Sequence, residues 1–461
     1  MKSIDTYGKI LLINMKIIYK TVYLFINKYK ETYLNIIMVY ELHSYIDNNI
    51  EFEYSVNSTN ETSIIIELYR GKLFCYIIKE FINKSILLFG TKIFSIKKSF
   101  SRTLTNLLSS WIFTLYASDN FDSTIDPFLP NNYTETQSLI NTLNDLVKYD
   151  ENIKEPTNLI IVLINFLIKL FNNQHKLLSN YKKSNYYIEN KSNYSVNKIK
   201  IKQKRNEEHY DFFKYNIDLE FEIKDKRLLN ILDNLLIPFD EYNKLKNNYT
   251  GNKNMDNMIW IILFRYQLLG SNNHQLGVKT NIMMQMKQDY NLNFECFAST
   301  INNTFKHYCS VYQDIEQYFG SVGSFYNLIP KKGTFGMNPP YQKDIIEIAL
   351  MKSLTFLLQA KENKNDLTFI ITIPIWDLEG KKNFINNLSY QNIDYGDFEI
   401  IKKISESEFH IITRMIAKEN FTYIDHNFKL SKNKTIQNTY VIILSTNEKL
   451  DTKKILEYDF K

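Results

Sequence analysis

Gly333-Thr334-Phe335-Gly336-Met337-Asn338-Pro339-Pro340-Tyr341 ends in an Asn-Pro-Pro-Tyr turn. Proline fixes φ and carries no N–H, so this turn is stiff and offers acceptors without competing donors. Asn338 supplies a side-chain carbonyl and Pro339 a backbone carbonyl. Two acceptors on an exocyclic amine draw its nitrogen toward sp³ and free the lone pair, which suits methyl transfer to the amine of adenine. Tyr341 offers a ring on which a base can stack, typically worth about 1–3 kcal/mol. With 8 prolines in the whole chain, the tetrapeptide is on the order of a one-in-a-thousand chance match. The alternative is a plain turn between two elements.

Residues 344–361 follow as a helix with Ile346, Leu350, Leu354, Leu357 and Leu358 on one face. Residues 367–373 form a continuous apolar run, the pattern of a strand buried on both faces. Residues 439–444 read as another such strand. Upstream, 294–298 and 307–312 are short strand candidates and 299–306 a short helix. Strands alternating with helices indicate an α/β fold. Ligands in such sheets sit at the carboxyl ends of strands, where Asn338 and Trp376 fall. Asp314 stands about 19 residues after Glu295, near the distance at which Rossmann-like folds place an acid on a ribose. An ordinary surface carboxylate is the alternative. Phe319-Gly320-Ser321-Val322-Gly323-Ser324 is a glycine-bearing loop and weak evidence for a cofactor loop.

The whole chain of 461 residues sets the frame. The length suggests two or three domains, and 44% hydrophobic residues provide for real cores. A net charge of +6 is compatible with a nucleic-acid partner without demanding one. Heavy use of Asn, Ile, Lys and Tyr resembles an AT-rich coding genome. Three irregularly spaced cysteines argue against a disulfide framework and a zinc site, so no metal is expected. They suit a reducing, intracellular setting: nucleus, cytoplasm, or a viral factory if the source is a large DNA virus. The best apolar run, 159–168, is short of the roughly 20 residues a membrane span needs, so no membrane partner is expected.

Four regions emerge. Residues 1–175 read as mainly helical, with 63–69 and 73–78 as a possible hairpin about Arg70-Gly71-Lys72. Residues 176–210 read as a low-complexity linker or insertion. Its basic run of Lys198, Lys200, Lys202, Lys204 and Arg205 can touch RNA phosphates, or is simply a solvated strand or loop. Residues 211–280 look like a mainly helical segment packing on the catalytic domain, with a strand at 217–223. Residues 281–461 carry the α/β domain.

The run Glu295-Cys296-Phe297-Ala298-Ser299, then Asn302, Tyr308-Cys309-Ser310, Asp314, Tyr318-Phe319-Gly320-Ser321, Gly323 and Asn338-Pro339-Pro340 resembles the phosphorylated-CTD-interacting-factor family of cap-specific adenosine methyltransferases. The likeness covers roughly residues 255–445. It implies a Rossmann-like class I methyltransferase domain packed on an N-terminal mainly helical domain, with S-adenosylmethionine as methyl donor. It implies the capped mRNA 5′ end as partner and a cap-adjacent 2′-O-methyladenosine as acceptor. An enzyme acting on internal RNA or DNA adenine, and a catalytically silent RNA-binding homologue, are the alternatives. By this resemblance Asn338, Pro339, Pro340 and Tyr341 are catalytic. Phe297, Ala298, Ser299, Asn302 and Asp314 hold the cofactor. Tyr341, Arg265, Trp376 and Asn438 meet the substrate, although Arg265 is equally a structural salt bridge and Trp376 equally core. The sequence departs from the family at Val322, Gly336, Met337, Tyr341 and Ile375. Trp111, Trp260 and Trp376 lie far apart, so a WW module, and with it binding to phosphorylated polymerase tails, is not expected.

Overall fold

The computed structural model describes residues 41–47, 49–56, 62–90, 97–116, 126–130, 136–147, 156–205, 208–219, 222–270, 275–341, 343–375, 399–426, 433–434 and 438–461. Its strands are β1 (Glu41–Ile46), β2 (Glu51–Val56), β3 (Val196–Arg205), β4 (Glu208–Ile217), β5 (Leu236–Pro238), β6 (Leu276–Val278) and β7 (Leu292–Glu295), followed by β8 (His307–Tyr308), β9 (Leu328–Met337), β10 (Leu367–Ile375), β11 (His410–Ile416), β12 (Tyr423–Asp425), β13 (Asn433–Lys434) and β14 (Asn438–Ser445). Its helices are α1 (Ile64–Phe89), α2 (Lys97–Tyr116), α3 (Gln137–Val147), α4 (Pro156–Lys182), α5 (Asn185–Asn190), α6 (Lys226–Asp233) and α7 (Phe239–Asn248), then α8 (Met255–Leu269), α9 (Thr280–Tyr290), α10 (Gln313–Glu316), α11 (Lys343–Glu362), α12 (Glu399–Ser405) and α13 (Lys453–Glu457).

The fold is mixed α/β around a mixed central sheet. β8, β7, the second half of β9 and β10 run parallel, and β14 lies antiparallel between β10 and β11. β10 is apolar throughout because both faces are covered. Leu367, Phe369, Ile371 and Ile373 enter one core with Ile346, Leu350 and Leu357 of α11. Ile370 enters a second core with Ile282, Met283 and Met286 of α9. Each such side chain, fully buried, contributes about 1.5–3 kcal/mol. The parallel strands therefore sit between helical layers, and their carboxyl ends open on one edge.

The N-terminal region is not purely helical. β2 pairs antiparallel with the first half of β9, Phe52 opposite Pro330, so the β1–β2 hairpin belongs to the central sheet. The expected hairpin at 63–78 is instead the start of α1, capped by Ser63, whose Oγ accepts from Ile66 N–H. Gly71 sits within that helix because α8 crosses it there: a Cβ would come 2.5 Å from Phe264 Cζ. The glycine marks a close helix approach, not a turn.

Residues 176–210 also differ from the expected linker. α4 runs on to Lys182, Tyr69 stacks on Tyr181 at 4.0 Å, and Tyr187 is buried. β3 and β4 then pair along ten residues each. Polar composition hid a ladder whose regularity lies in its alternation. Of the strand expected at 217–223, Ile217 is the last residue of β4 while 218–219 and 222–223 are outside any strand, and 299–306 forms turns without a helix. α4 has the length and hydropathy of a membrane span; here Ile160, Leu163, Leu167 and Phe171 bury one side of it in the main core.

Candidate active site

β9 delivers Asn338 to the carboxyl edge of the sheet, one residue past its end. The Asn338 amide is oriented by two bonds. Its Nδ2 donates to the Leu276 carbonyl of β6 at 3.3 Å, and its Oδ1 accepts from the Tyr341 hydroxyl at 3.3 Å. The donor side of the amide is thus turned toward the protein. The oxygen faces a long bond that a better donor can displace, since O–H···O bonds are usually about 2.5–3.0 Å. Tyr341 is half-buried, its ring edge-on to Tyr423 at 5.9 Å.

Asn338 lines a narrow cleft of about 440 Å³, counting space open to solvent, between the ends of β7, β9 and β10 and the strand β6. Glu295, Phe297 and Asn302 line it from the β7 side, with Gly336, Met337 and Thr372 along the sheet. Glu295 ends β7, and its Oε2 accepts from the backbone N–H groups of Thr304 at 2.6 Å and Phe305 at 2.9 Å. Burial pushes this carboxyl up to about 7, against the downward pull of the two backbone bonds and of Lys244.

The loop after β7 is held from beneath. Asn302 Oδ1 accepts from Ser299 N–H at 2.6 Å and Ser299 Oγ at 3.1 Å. The Thr300 N–H donates to the buried Glu316 at 2.6 Å, which also takes the Tyr266 hydroxyl at 2.8 Å. Lys244 of α7 donates to the Ile301 and Asn303 carbonyls, both at 3.1 Å. Of the expected cofactor residues, Phe297 and Asn302 line the cleft. Ser299 is buried and donates to Gln275, and Ala298 is tied by its N–H to the Cys309 carbonyl.

Arg265 and Asp314 are elsewhere. Arg265 is fully buried, and its Nη1 and Nη2 hold both Asp314 oxygens at 2.8 and 2.9 Å while Nη2 and Nε hold Glu67 at 2.7 and 3.1 Å. Arg70 joins Glu67 and Asp126 to the same cluster. Burial alone would raise the Glu67 carboxyl, but Arg265 and Arg70 outweigh it and hold it below its ordinary value. The cluster cross-links α1, α8 and α10. In place of the expected roles of Asp314 on a ribose and Arg265 on cap phosphates, the two side chains form a salt bridge with each other that engages both Asp314 oxygens. The glycine-bearing loop is likewise structural: Gly320 has φ +106°, and a Cβ there would come 2.2 Å from the Lys306 carbonyl.

Asn438 starts β14 opposite Ile375 at the same sheet edge, and its Oδ1 accepts from Lys418 N–H at 2.8 Å. Trp376 lies outside the described residues. Missed at the sequence level were Gly277 and His426. A Cβ on Gly277 would come 3.3 Å from His426 Nε2. His426 also lines a second cavity of about 1250 Å³, again counting open space, with Arg227, Asn230, Asn234 and Gln267 as its other polar groups. Arg227 Nε is buried there without a hydrogen-bond partner. No spacing in the sequence links 227, 277 and 426.

A family model described as "Phosphorylated CTD interacting factor 1 WW domain" matches residues 239–426. Proteins named mRNA (2'-O-methyladenosine-N(6)-)-methyltransferase from Homo sapiens and Mus musculus are each 31% identical over 124 residues, 26% of this chain. The match spans 17% of the length of either relative. The family match corrects the expectation that a WW module is lacking, and with it the expectation of no polymerase-tail binding. Tryptophan spacing was too narrow a criterion: the matched residues include both Trp260 and Trp376.

Proposed function

We propose that this chain is an S-adenosylmethionine-dependent methyltransferase acting on the exocyclic amine of the cap-adjacent 2′-O-methyladenosine of mRNA. The observation that carries the proposal is the position of Asn338-Pro339-Pro340-Tyr341 at the carboxyl end of β9, with Asn338 in one cleft with Glu295 and Asn302. Support also comes from the sheet, whose parallel strands with one antiparallel strand inserted before the edge fit a Rossmann-like class I methyltransferase domain. The similarity to the two mammalian enzymes points the same way.

The cleft residues fit the donor. When bound, S-adenosylmethionine supplies an electrophilic methyl group on a sulfonium. Glu295 offers a poorly solvated carboxylate to a cation or a ribose, Asn302 an amide, and Phe297 an apolar ring edge. Gly277 and Gly336 keep the walls free of side chains.

On the acceptor side, Asn338 Oδ1 exchanges the Tyr341 hydroxyl for one amine hydrogen, and the Pro339 carbonyl takes the other. With the donor bound, these two acceptors would turn the freed lone pair toward the methyl carbon, so that a C–N bond would form as the C–S bond breaks and the amine proton would leave to solvent. Tyr341 stacks on the base and holds the nitrogen in line, where most of the rate advantage arises. The polar cavity behind Gly277 takes the capped end, with Arg227 toward its phosphates. The central sheet, β1 and β2 included, then forms the catalytic body, and helices α1 to α8 the layer against which the capped end is held.

The test is a methyl-transfer assay with labelled S-adenosylmethionine. Two short RNAs beginning with 2′-O-methyladenosine, one capped and one bearing a 5′-triphosphate, are followed by nucleoside analysis. Label only on the terminal adenosine of the capped RNA is the expected result. Equal label on both, or label at internal adenines, moves the substrate to general nucleic acid. No label with either RNA refutes the proposal.

A further inference from the structure

The β3–β4 hairpin carries lysines at 198, 200, 202 and 204. The strand period of two sets all four on one face. That face has two halves. Lys198 belongs to the protein: its Nζ ion-pairs with Asp256 at 3.1 Å and lies 4.0 Å from the centre of the Tyr242 ring. Lys200, Lys202 and Lys204 are exposed. Across the ladder they face Phe213, Asp211 and His209, so one acid stands opposite three cations.

The position of this row matters as much as its charge. β3 is the outer strand of a three-stranded sheet ordered β3-β4-β5. At the other side of that sheet, Leu236 and Ile237 of β5 line the polar cavity, and His426 of that cavity backs Gly277 of the cleft. Lys200 reaches over the Phe239 ring, 5.2 Å from its centre, where β5 turns into α7. Cleft, cavity and lysine row are thus linked residue by residue, through His426 beside Gly277, β5 along the cavity and Phe239 under Lys200. Alternate residues on a strand are about 6.8 Å apart, a repeat of the same order as successive phosphates on an extended single strand.

We infer that the lysine face of β3 is a track for the single-stranded RNA that follows the nucleotide in the cleft. The inference rests on the proposed function for its direction but has its own observable. Each phosphate neutralised on a single strand adds about 0.7 to the dependence of log affinity on log salt. Three lysines therefore account for a slope of about 2.

The test uses the full chain and a fluorescently labelled capped RNA, long enough to leave the cleft, in an anisotropy titration over a series of salt concentrations. The variant Lys200→Gln/Lys202→Gln/Lys204→Gln is compared with Lys72→Gln/Lys79→Gln/Lys169→Gln, which removes equal charge from exposed positions of α1 and α4. The hairpin variant is expected to bind on the order of tenfold more weakly, with the salt slope reduced by about 2. The control should change neither, and methyl transfer to a capped trinucleotide should be the same for wild type and both variants. Equal losses in both variants, or an unchanged slope, overturn the track. So does a hairpin variant that elutes as an oligomer, because edge protection would then explain the lysines. So does wild-type protein that prefers phosphatidylserine vesicles to RNA. Wild-type protein that transfers no methyl group but shows the slope difference defeats the proposed function and leaves the track standing.

Discussion

The sheet edge at Asn338 and the cluster at Arg265 are both rich in polar groups, and their surroundings differ in kind. At Asn338 the polar atoms are held at long or replaceable distances beside open space. At Arg265 three guanidinium nitrogens and the four carboxylate oxygens of Glu67 and Asp314 bond one another, with Arg265 and Glu67 fully buried. A site keeps bonding capacity for something absent, whereas a structural cluster spends it internally. Charge and residue type, which are all that a sequence displays, do not separate the two. Residual capacity does.

The sharpest test of that contrast is Asn338→Ala. Methyl transfer should fall by on the order of 10³-fold, as for loss of a preorganised polar group on the reacting centre. Melting temperature should barely move, because the lost bond to Leu276 is a long one at a half-exposed residue. Near-normal turnover would remove Asn338 from the chemistry.

Arg265→Ala should behave in the opposite way. It strands Asp314 and leaves Glu67 to Arg70 alone, and breaking a buried pair costs about 3–5 kcal/mol. Denaturant unfolding should show that loss. The fraction still folded should bind S-adenosylmethionine as the wild type does. Unchanged stability together with lost activity would return Arg265 to the substrate and break the comparison.

Glu295 lies between the extremes: it is built into the loop through two backbone bonds and yet faces the cleft. Its carboxyl titrates near 7 when folded and near the ordinary value for Glu when unfolded. Between those limits the folded state binds more protons than the unfolded one, so this group makes stability fall as pH rises from about 4.5 to about 7 and level off above. The full window corresponds to at most about 3 kcal/mol. Glu295→Gln should flatten that part of the stability–pH curve. A slope that survives the substitution belongs to another group. If the ionised form is the one that receives the cationic donor, wild-type affinity for S-adenosylmethionine should weaken as pH drops below 7, and that dependence should also vanish in the variant.

The same distinction explains what was legible in the sequence. The Asn-Pro-Pro-Tyr turn, the apolar β10 and α11 announce themselves through local constraints: fixed φ, continuous burial, a helical stripe. Phe297 and Asn302 were visible for the same reason, as part of an ordered motif after β7. Gly71 was misread because a glycine that admits a neighbouring helix looks identical to one that makes a turn. Residues 176–210 were misread because composition masked alternation. Gly277, His426 and Arg227 were invisible, since they meet through three separate segments. Asp314 met a spacing rule, but its carboxylate was already claimed by a residue 49 positions away.

The smallest expected effect refines the Asn338 side of the comparison. Tyr341 does two things that a sequence cannot disentangle: its ring is available to a base, and its hydroxyl donates to Asn338 Oδ1 at 3.3 Å. If the hydroxyl merely occupies the acceptor until substrate arrives, Tyr341→Phe removes a competitor worth about 0.5–1.5 kcal/mol. KM for RNA should then stay the same or fall a few-fold, with kcat within about twofold, since the in-line geometry is set by the ring and the prolines. Tyr341→Ala should instead lose the stacking face and about 1–3 kcal/mol of base binding. A Phe variant as impaired as the Ala variant would mean that the hydroxyl holds the Asn338 amide in its working orientation. The long bond would then be part of the catalytic arrangement, not spare capacity.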